Sequence, residues 1–286
     1  MDATALAVAT SLALAQDSAA KEPVAETAAF RLELALDAWV PRLEGDFTDA
    51  GAKVDVRDTD LHDSEFAPGG TVGVRNDRLF VGARGFSFST DGGGVADSAF
   101  TLGGMTVAAG DDFTSDFSWW SAGAVLEYEF YRPYAERPTP WSDARANWTP
   151  AANGADLAIL ALFSCDVQGL SRDLANISSG AGASADETFV TVQAGVGFRF
   201  GFSTKESFPV VRRVTLGAKA AYGANIPTGD GDAEGAFRVD AEIAAWFCDE
   251  GAVYFGYRYA GGDYDGSDMR LEGSLQGLRA GLRVEF

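Results

Sequence analysis

Apolar and polar residues alternate with a period of two along most of the chain. In the segment 30–40 every second residue is apolar, and Arg31, Glu33 and Asp37 lie among the residues between. Successive side chains of a β-strand point to opposite faces, so the alternation predicts strands with one apolar and one charged face. We predict strands at about 30–41, 69–76, 78–89, 115–131, 156–167, 188–203, 211–225, 236–248, 252–260 and 271–286.

The length and the ends of these segments indicate a membrane barrel. In most segments the alternating stretch runs for roughly 9–13 residues, which is enough to cross a bilayer when the strand is tilted. Glycines such as Gly195 and Gly197 lie on the polar face, as a narrow interior requires. Aromatic residues at the segment ends suggest interfacial girdles. The girdle residues are Trp39, Phe130, Tyr131, Tyr222, Trp246, Tyr257 and Tyr259.

Short and long connections alternate along the chain, as periplasmic turns and extracellular loops do in such barrels. The short turns lie at 76–77 and 249–251, and the long polar loops at 41–69, 169–186, 227–235 and 261–268. The sequence therefore predicts an all-β fold, a closed antiparallel transmembrane β-barrel of about ten strands, with eight or twelve as alternatives. A soluble lipocalin-like barrel, with the apolar face inside, is the other fold that this pattern allows.

Three regions fit the simple pattern less well. Phe86 and Phe88 share the parity of Arg84, so a bulge near Gly85 could switch the faces of that strand. Residues 98–109 are strand-like, and we place them above the membrane. The proline-bearing insertion at 132–155 is too long for a turn, and we expect it to cover one end of the barrel.

Composition narrows the function classes. The chain has 286 residues, 47% of them apolar, and a formal net charge of −20. The apolar content argues against a disordered acidic chain, and the negative charge argues against nucleic-acid binding, which needs a basic face. No uninterrupted apolar run of about 20 residues occurs, which excludes a helical membrane protein.

The N-terminus resembles a secretory signal peptide. Residues 3–15 are small and apolar, and Ala13-Leu14-Ala15 before Gln16 fits a cleavage site, although the positive n-region is missing. We divide the chain into a truncated or atypical signal peptide at 1–15, a short linker at 16–28 and a barrel at 29–286.

The C-terminus ends on a strand with a terminal aromatic. Leu282, Val284 and Phe286 alternate with Arg283 and Glu285. Together with Ala38-Trp39-Val40-Pro41…Gly45 and Gly256-Tyr257-Arg258, this segment resembles the small outer-membrane β-barrel proteins of the OmpA-barrel, OmpX and OmpW type, over about residues 29–286. The resemblance implies location in the outer membrane of a Gram-negative bacterium. It also implies that Leu282, Val284 and Phe286 form a signal for the barrel-insertion machinery.

Charged residues of both signs share the face that would line the interior. An unpaired buried charge is costly, so these groups must pair or keep water. Pairing favours an occluded lumen with a structural or surface-scaffold role. A narrow porin-like channel for small solutes is the alternative, and Arg238→Ala is expected to distinguish the two. The predicted network consists of Arg31, Glu33, Asp37, Arg84, Glu127, Glu129, Arg199, Lys219, Arg238, Asp240, Glu242, Arg258, Arg279 and Arg283.

Other candidate chemistry is sparse. His62, the only histidine, lies beside Asp63 in a predicted loop and keeps a barrel-embedded hydrolase open as a second alternative. We expect no enzyme activity, no cofactor, and two free thiols at Cys165 and Cys248. The acidic extracellular loops could bind divalent cations weakly, the candidate ligands being Asp263, Asp265 and Asp268, although the full spacing of a calcium loop is absent. Outer-membrane lipid is the expected partner, and we expect a monomer.

Overall fold

The computed structural model describes residues 30–49, 51–76, 78–133, 155–204 and 210–286. The predicted signal peptide and linker, and most of the 132–155 insertion, lie outside these residues. Within the described part of the chain, no helix is long and apolar enough to cross a membrane.

Thirteen strands and one 3₁₀ turn make up the described secondary structure. The strands are β1 (Phe30–Asp49), β2 (Ala52–Asp55), β3 (Ala67–Asn76), β4 (Leu79–Val95), β5 (Phe100–Leu102), β6 (Met105–Val107), β7 (Asp112–Tyr131), β8 (Ala155–Asn176), β9 (Ala181–Ser203), β10 (Arg213–Pro227), β11 (Glu234–Trp246), β12 (Gly251–Asp265) and β13 (Arg270–Glu285). The 3₁₀ turn spans Val56–Thr59.

Ten of these strands form a closed antiparallel barrel. Its order around the ring is β1, β3, β4, β7, β8, β9, β10, β11, β12 and β13, and β13 pairs with β1 to close it. The closing pair runs from Glu33 opposite Glu285 to Thr48 opposite Arg270. Leu32 and Phe286 then exchange both backbone hydrogen bonds, at 3.2 and 2.9 Å. The predicted fold class and the number of ten strands are confirmed.

One end of the barrel carries short turns and the C-terminus. Residues 247–250 connect β11 to β12 there, and β3 and β4 pair as far as Asn76 opposite Leu79. We call this the lower end, and assign it to the periplasm because short turns face that side in barrels of this type. Arg132 and Ala155, which flank the insertion, also lie at this end. The opposite, upper end carries the connections at 96–111 and 228–233.

The strands extend further at the upper end than the sequence predicts. The segment 169–186, expected to be a long polar loop, continues β8 and β9 and turns at 177–180. Likewise β1 runs on to Asp49 across the predicted loop at 41–69. Polar residues on the outer face made these extensions resemble loops. Many of their inward residues, such as Phe47, Leu170 and Leu174, are buried and apolar, with Arg172 and Asn176 as buried polar exceptions, and a buried inner face is what keeps the strands paired.

The face of β4 does not switch. Its pairing with β3 and β7 is continuous through Gly85, so the bulge expected there is wrong. Phe86 and Phe88 point inward with Arg84. An irregularity in strand pairing occurs instead between β7 and β8, where the register shifts between Glu129 and Tyr131. The segment 98–109 forms the hairpin of β5 and β6 at the upper end, as predicted.

Gly169 shows how close packing selects a residue on the outer surface. It lies opposite Trp120 on the neighbouring strand, and a Cβ atom built on Gly169 would lie 2.2 Å from the indole Nε1. Only glycine therefore leaves room for the Trp120 ring to lie across the sheet at this position. The ring in turn covers the backbone of Gly169, which has no side chain to shield it.

Candidate functional site: the barrel interior

The outer surface of the lower half is an apolar band. On β7 the outward residues from Trp120 to Phe130 are aromatic or aliphatic, a span of 11 residues. The outward Val196 and Leu282 are 62% and 54% exposed because no protein covers them. A band of this height matches the hydrocarbon thickness that a tilted strand crosses.

Not all predicted girdle aromatics lie on this surface. Phe130, Tyr131, Tyr222 and Tyr257 are exposed on the outside. Trp39 and Trp246 instead point inward and are buried, so their assignment to the girdle is wrong. Trp39 shares the parity of Asp37, and its Nε1 donates a hydrogen bond to the carbonyl of Gly277 at 3.3 Å.

All fourteen residues of the predicted network lie on the inner face of the lower half. They divide into two clusters and two separate pairs. In the first cluster, on β11, β12, β13 and β1, three carboxylates meet four guanidinium groups. Its members are Asp37, Asp240, Glu242, Arg238, Arg258, Arg279 and Arg283.

Asp240 is the shared centre of the first cluster. It accepts from Arg258 Nε at 2.7 Å and Arg238 Nε at 2.8 Å, and Arg279 Nη2 lies 3.7 Å away. Removing Arg238 therefore leaves Asp240 with two arginines. The sequence suggested that Arg238→Ala would leave a carboxylate unpaired, and the structure shows that it does not. Tyr254 donates to Asp37 and holds it from the opposite side.

The second cluster lies on β1, β3, β7, β9 and β10. Arg75 donates to Glu33, Arg199 to Glu129 and Lys219 to Glu127. At the lower rim Arg132 pairs with Asp156 at 2.9 Å. The two separate pairs are Arg84 with Asp166, at 2.6 Å, and Arg31 with Glu285, at 3.5 Å.

Sequence reasoning missed several members of these clusters. Arg75 has the inward parity of its strand, and that parity was the signal that could have placed it in the network. Asp156 and Asp166 flank a continuous apolar run in β8, whose inward Leu160 and Leu162 hide the alternation. Nothing local in the sequence distinguished those two carboxylates from loop residues.

A cavity of about 140 Å³ lies between the clusters in the lower half. It is lined by charged groups of both signs, including Arg84, Arg238 and Asp240, and by the polar side chains of Ser164 and Gln193. Such a polar space at membrane depth can hold water or a small polar solute.

Above the cavity, neutral polar side chains form a hydrogen-bonded layer. Gln168 accepts from Trp119 Nε1 at 2.7 Å and donates to Thr191. Thr191 donates to Asn225 at 2.6 Å, and Asn225 donates to the carbonyl of Asp263 at 3.0 Å. All these side chains have partners, so burial costs them little.

An aromatic layer crosses the lumen next. Its members are Trp39, Phe86, Trp119, Phe189 and Tyr264. Trp119 and Tyr264 stand on β7 and β12, which are five strands apart in a ring of ten and thus on opposite walls, and their ring centroids are 5.0 Å apart. Phe189 adds a contact with Tyr264 at 5.2 Å, and Phe86 one with Trp39 at 5.2 Å. Side chains from opposite walls of the barrel therefore meet at this level.

The upper half contains a hydrophobic core above the aromatic layer. Inward residues of the extended strands pack with the 3₁₀ turn and the β5–β6 hairpin. The buried members include Leu43, Phe47, Val56, Leu61, Phe88, Phe100, Leu102, Val107, Phe113, Phe117, Leu170, Leu174, Leu271 and Leu275.

Two side chains tie the upper strands to neighbouring loops. Glu187 on β9 accepts from the Ser267 hydroxyl at 2.9 Å and from the Asp268 backbone N–H at 2.6 Å. Asp60, the only described non-glycine residue with positive φ, accepts from the Gly93 backbone N–H on β4 at 3.2 Å. These contacts cover edges of β4 and β9 above the point where β3 and β10 end.

Three ionisable groups outside the membrane have shifted pKa values. Hydrogen bonds from the Asn176 amide and the Ala108 backbone N–H lower the pKa of Asp111. Partial burial, together with the charge of Glu272, raises the pKa of Asp263. Lys53 has a raised pKa because it donates to the Glu272 carboxylate at 2.6 Å.

The other candidate residues named from the sequence do not come together in one site. His62 Nδ1 is buried without a hydrogen bond. Cys165 and Cys248 are free and exposed, as expected. Among the described residues no group of three or more His, Cys, Asp or Glu could hold a metal ion, and Asp263, Asp265 and Asp268 form no such group. Leu282 and Phe286 of the predicted insertion signal face outward.

A closed antiparallel barrel with an apolar outer band and a charged interior is a transmembrane β-barrel. Only a closed sheet or a helix satisfies every backbone group within lipid, and this chain uses the first solution. The chain is thus an integral barrel of the outer-membrane type.

Comparison with known proteins gives matches among solved structures. No family model matches the chain, and no curated protein matches it in sequence. The outer membrane protease OmpT of Escherichia coli has 10% identity and a TM-score of 0.44, covering 90% of this chain and 96% of that one. Ail of Yersinia pestis, an attachment invasion locus protein, has 12% identity and a TM-score of 0.34, covering 88% and 97%. The toluene transporter TodX of Pseudomonas putida has 14% identity and a TM-score of 0.30, covering 90% and 89%.

Proposed function

We propose that this outer-membrane barrel is a non-conducting scaffold that holds a folded β-structure outside the cell. The lower half anchors the chain in lipid. The upper half, with its own hydrophobic core, forms the presented structure. Acidic side chains on its outer face, such as Asp91, Asp116 and Asp173, give it a negative surface.

The observation that carries the proposal is the contact between Trp119 and Tyr264. Their centroids lie 5.0 Å apart although their strands are on opposite walls. A hydrophobic constriction excludes ions even where it is not sterically sealed, because an ion cannot shed its water there. The packed core above adds several further layers of apolar side chains.

The ion-pair clusters support the same conclusion less strongly. An open pore more often has one dominant charge sign at its constriction, whereas both signs alternate in the lower half of this barrel. Closely paired charges also leave few groups available to replace the water of a passing ion.

Single-channel recording of the refolded chain in planar bilayers tests the proposal. We expect no steady openings from the wild type, at low or high salt, because the aromatic layer is insensitive to screening. The double variant Trp119→Ala/Tyr264→Ala removes the cross-lumen contact, and its baseline current shows how much of the barrier that contact provides. A heat-modifiable gel shift verifies that each protein is folded. Steady openings of the wild type would refute the scaffold and favour the narrow channel.

We propose no enzymatic role. In the described residues His62 forms no hydrogen bond or ion pair with a serine or carboxylate, which is what the hydrolase alternative needs. Incubating the folded protein with casein and with phospholipid vesicles tests this. Hydrolysis that is lost in His62→Ala would reverse the conclusion.

A further inference from the structure

The charges of the first cluster do not balance among the described residues. Arg238, Arg258, Arg279 and Arg283 face only three carboxylates, and each carboxylate is already shared. The second cluster, with Arg132 and Asp156 included, has four cations and four carboxylates. The first cluster therefore has one more cation than carboxylates at membrane depth, where an uncompensated charge is costly.

Arg238 and Arg283 each contact a single carboxylate of the described residues. The Nε of Arg238 donates to Asp240 at 2.8 Å, and its two Nη atoms form no hydrogen bond or ion pair with the described residues. Arg258, in contrast, bridges two carboxylates and Arg279 three. The side chain of Arg238 lines the 140 Å³ cavity, so its two Nη groups have room for a ligand.

Arg84 approaches the same cavity from the opposite wall. It stands on β4 and Arg238 on β11, five strands apart in the ring of ten. Nε and Nη2 of Arg84 bind Asp166 and Ser164, while Nη1 forms no hydrogen bond with the described residues. Arg84 and Arg238 both line the cavity. Two guanidinium groups that line one cavity from opposite walls attract an anion between them.

We propose that the lower cavity binds a small oxyanion between Arg84 and Arg238. Guanidinium groups recognise phosphate, sulfate and carboxylate oxygens through paired N–H donors, which makes an oxyanion a better match than a spherical halide. Ser164 and Gln193 also line the cavity and offer further donors. This inference is independent of whether the barrel conducts.

Calorimetry on the full chain, refolded in detergent, tests the site. The probes are inorganic phosphate, sulfate and acetate, with chloride at equal ionic strength as the comparison. We expect saturable binding of one phosphate per chain and little saturable binding of chloride. Refolding in the presence of phosphate, followed by dialysis and measurement of retained phosphate, covers the case in which entry into the folded barrel is slow.

Arg238→Gln is the main variant because Asp240 keeps two arginines and the barrel should still fold. We expect its phosphate affinity to fall by at least about tenfold, which corresponds to losing roughly 1.4 kcal/mol of binding energy. Arg238→Lys keeps the positive charge but loses the paired N–H donors of the guanidinium group. Its phosphate affinity should therefore lie between those of the wild type and Arg238→Gln. Arg270→Gln removes an exposed cation of the upper half and serves as the matched control.

The outcomes separate clearly. Retained phosphate binding in Arg270→Gln and its loss in Arg238→Gln support the site. Absence of saturable or retained phosphate in the wild type overturns it, as does equal binding by the wild type and Arg238→Gln, with folding confirmed by the gel shift.

Discussion

The two halves of the barrel invert their polarity along the same strands. In the upper part of β7 the outward residues are Asp112, Thr114, Asp116 and Ser118, and the inward residues include Phe113, Phe117 and Trp119. In the lower part the outward residues are apolar from Trp120 to Phe130, and Glu127 and Glu129 point inward. The backbone alternation continues without interruption, and only the chemistry of each face is exchanged.

The inversion follows from the solvent outside the barrel. In the lower half lipid surrounds the sheet, so apolar groups face out and charged groups collect inside. In the upper half water surrounds it, so the strands obey the rule for soluble sheets and bury their apolar face. The same barrel is thus a membrane protein below and a soluble β-structure above, with the aromatic layer at the boundary.

Removing an aromatic ring from the upper core is expected to have the largest effect. Phe117→Ala should lower the free energy of unfolding by about 3–5 kcal/mol, the cost of truncating a fully buried phenylalanine. Urea unfolding of refolded protein in lipid vesicles, followed by tryptophan fluorescence, measures the loss. Ser118→Ala, the next residue on the outward face, should change stability by less than about 0.5 kcal/mol. Equal losses in the two variants would contradict the assignment of the faces.

Breaking an isolated ion pair in the lower half should cost somewhat less. Arg84→Ala leaves the buried Asp166 without its cation, and we expect a loss of roughly 3 kcal/mol, moderated by water in the cavity. Arg238→Ala should cost distinctly less because Asp240 retains Arg258 and Arg279. The double variant Arg84→Ala/Asp166→Ala should recover part of the loss in the same unfolding assay. A larger loss for Arg238→Ala than for Arg84→Ala would show that the charge sharing around Asp240 is misassigned.

A charge on the outer face separates the halves directly. Val196→Arg places a guanidinium in lipid and should destabilise the barrel by about 2–4 kcal/mol. Asp186→Arg, on the same face of β9 but in the upper half, should have little effect because water surrounds it. Unfolding in vesicles measures both, and a comparable loss for Asp186→Arg would place the membrane boundary higher than Trp120.

The smallest expected effect concerns the acidity of two loop carboxylates. Asp111 should titrate below the usual range for aspartate and Asp263 above it, as measured by NMR of the folded protein in detergent. The contribution of Asp111 to stability is present at neutral pH and is lost as the pH falls through its lowered pKa, since a depressed pKa means that the ionised form is favoured in the fold. Asn176→Ala should return the Asp111 pKa towards its ordinary value. An unchanged titration in that variant would contradict the hydrogen bond as the cause.

Much of the fold could be predicted because its determinants are local. A period of two specifies a strand, and parity specifies which residues share a face, so the fourteen network residues could be placed on one side from sequence. Asp156 and Asp166 were not predicted as network residues because Leu160 and Leu162 occupy inward positions between them and hide the alternation.

Parity alone does not say where lipid ends along a strand. Trp39 and Trp246 were assigned to the outer girdle for their type and position, yet they point inward with their strand's charged residues. The segment 169–186 was assigned to a loop because its outward residues are polar. Both errors have the same cause. The side of the sheet that a polar or aromatic residue occupies depends on whether lipid or water surrounds the barrel at that level.

The sequence by itself determined the membrane-crossing part of the strands, the two faces of those segments and the all-β class, because the alternation of side chains is a property of each strand alone. Only the tertiary structure decided which charges pair, since Arg84 meets Asp166 and Lys219 meets Glu127 across strands that are distant in the chain. It also decided that Trp119 and Tyr264 meet across the lumen. Closure of the ring sets which walls face each other, and no local pattern contains that distance.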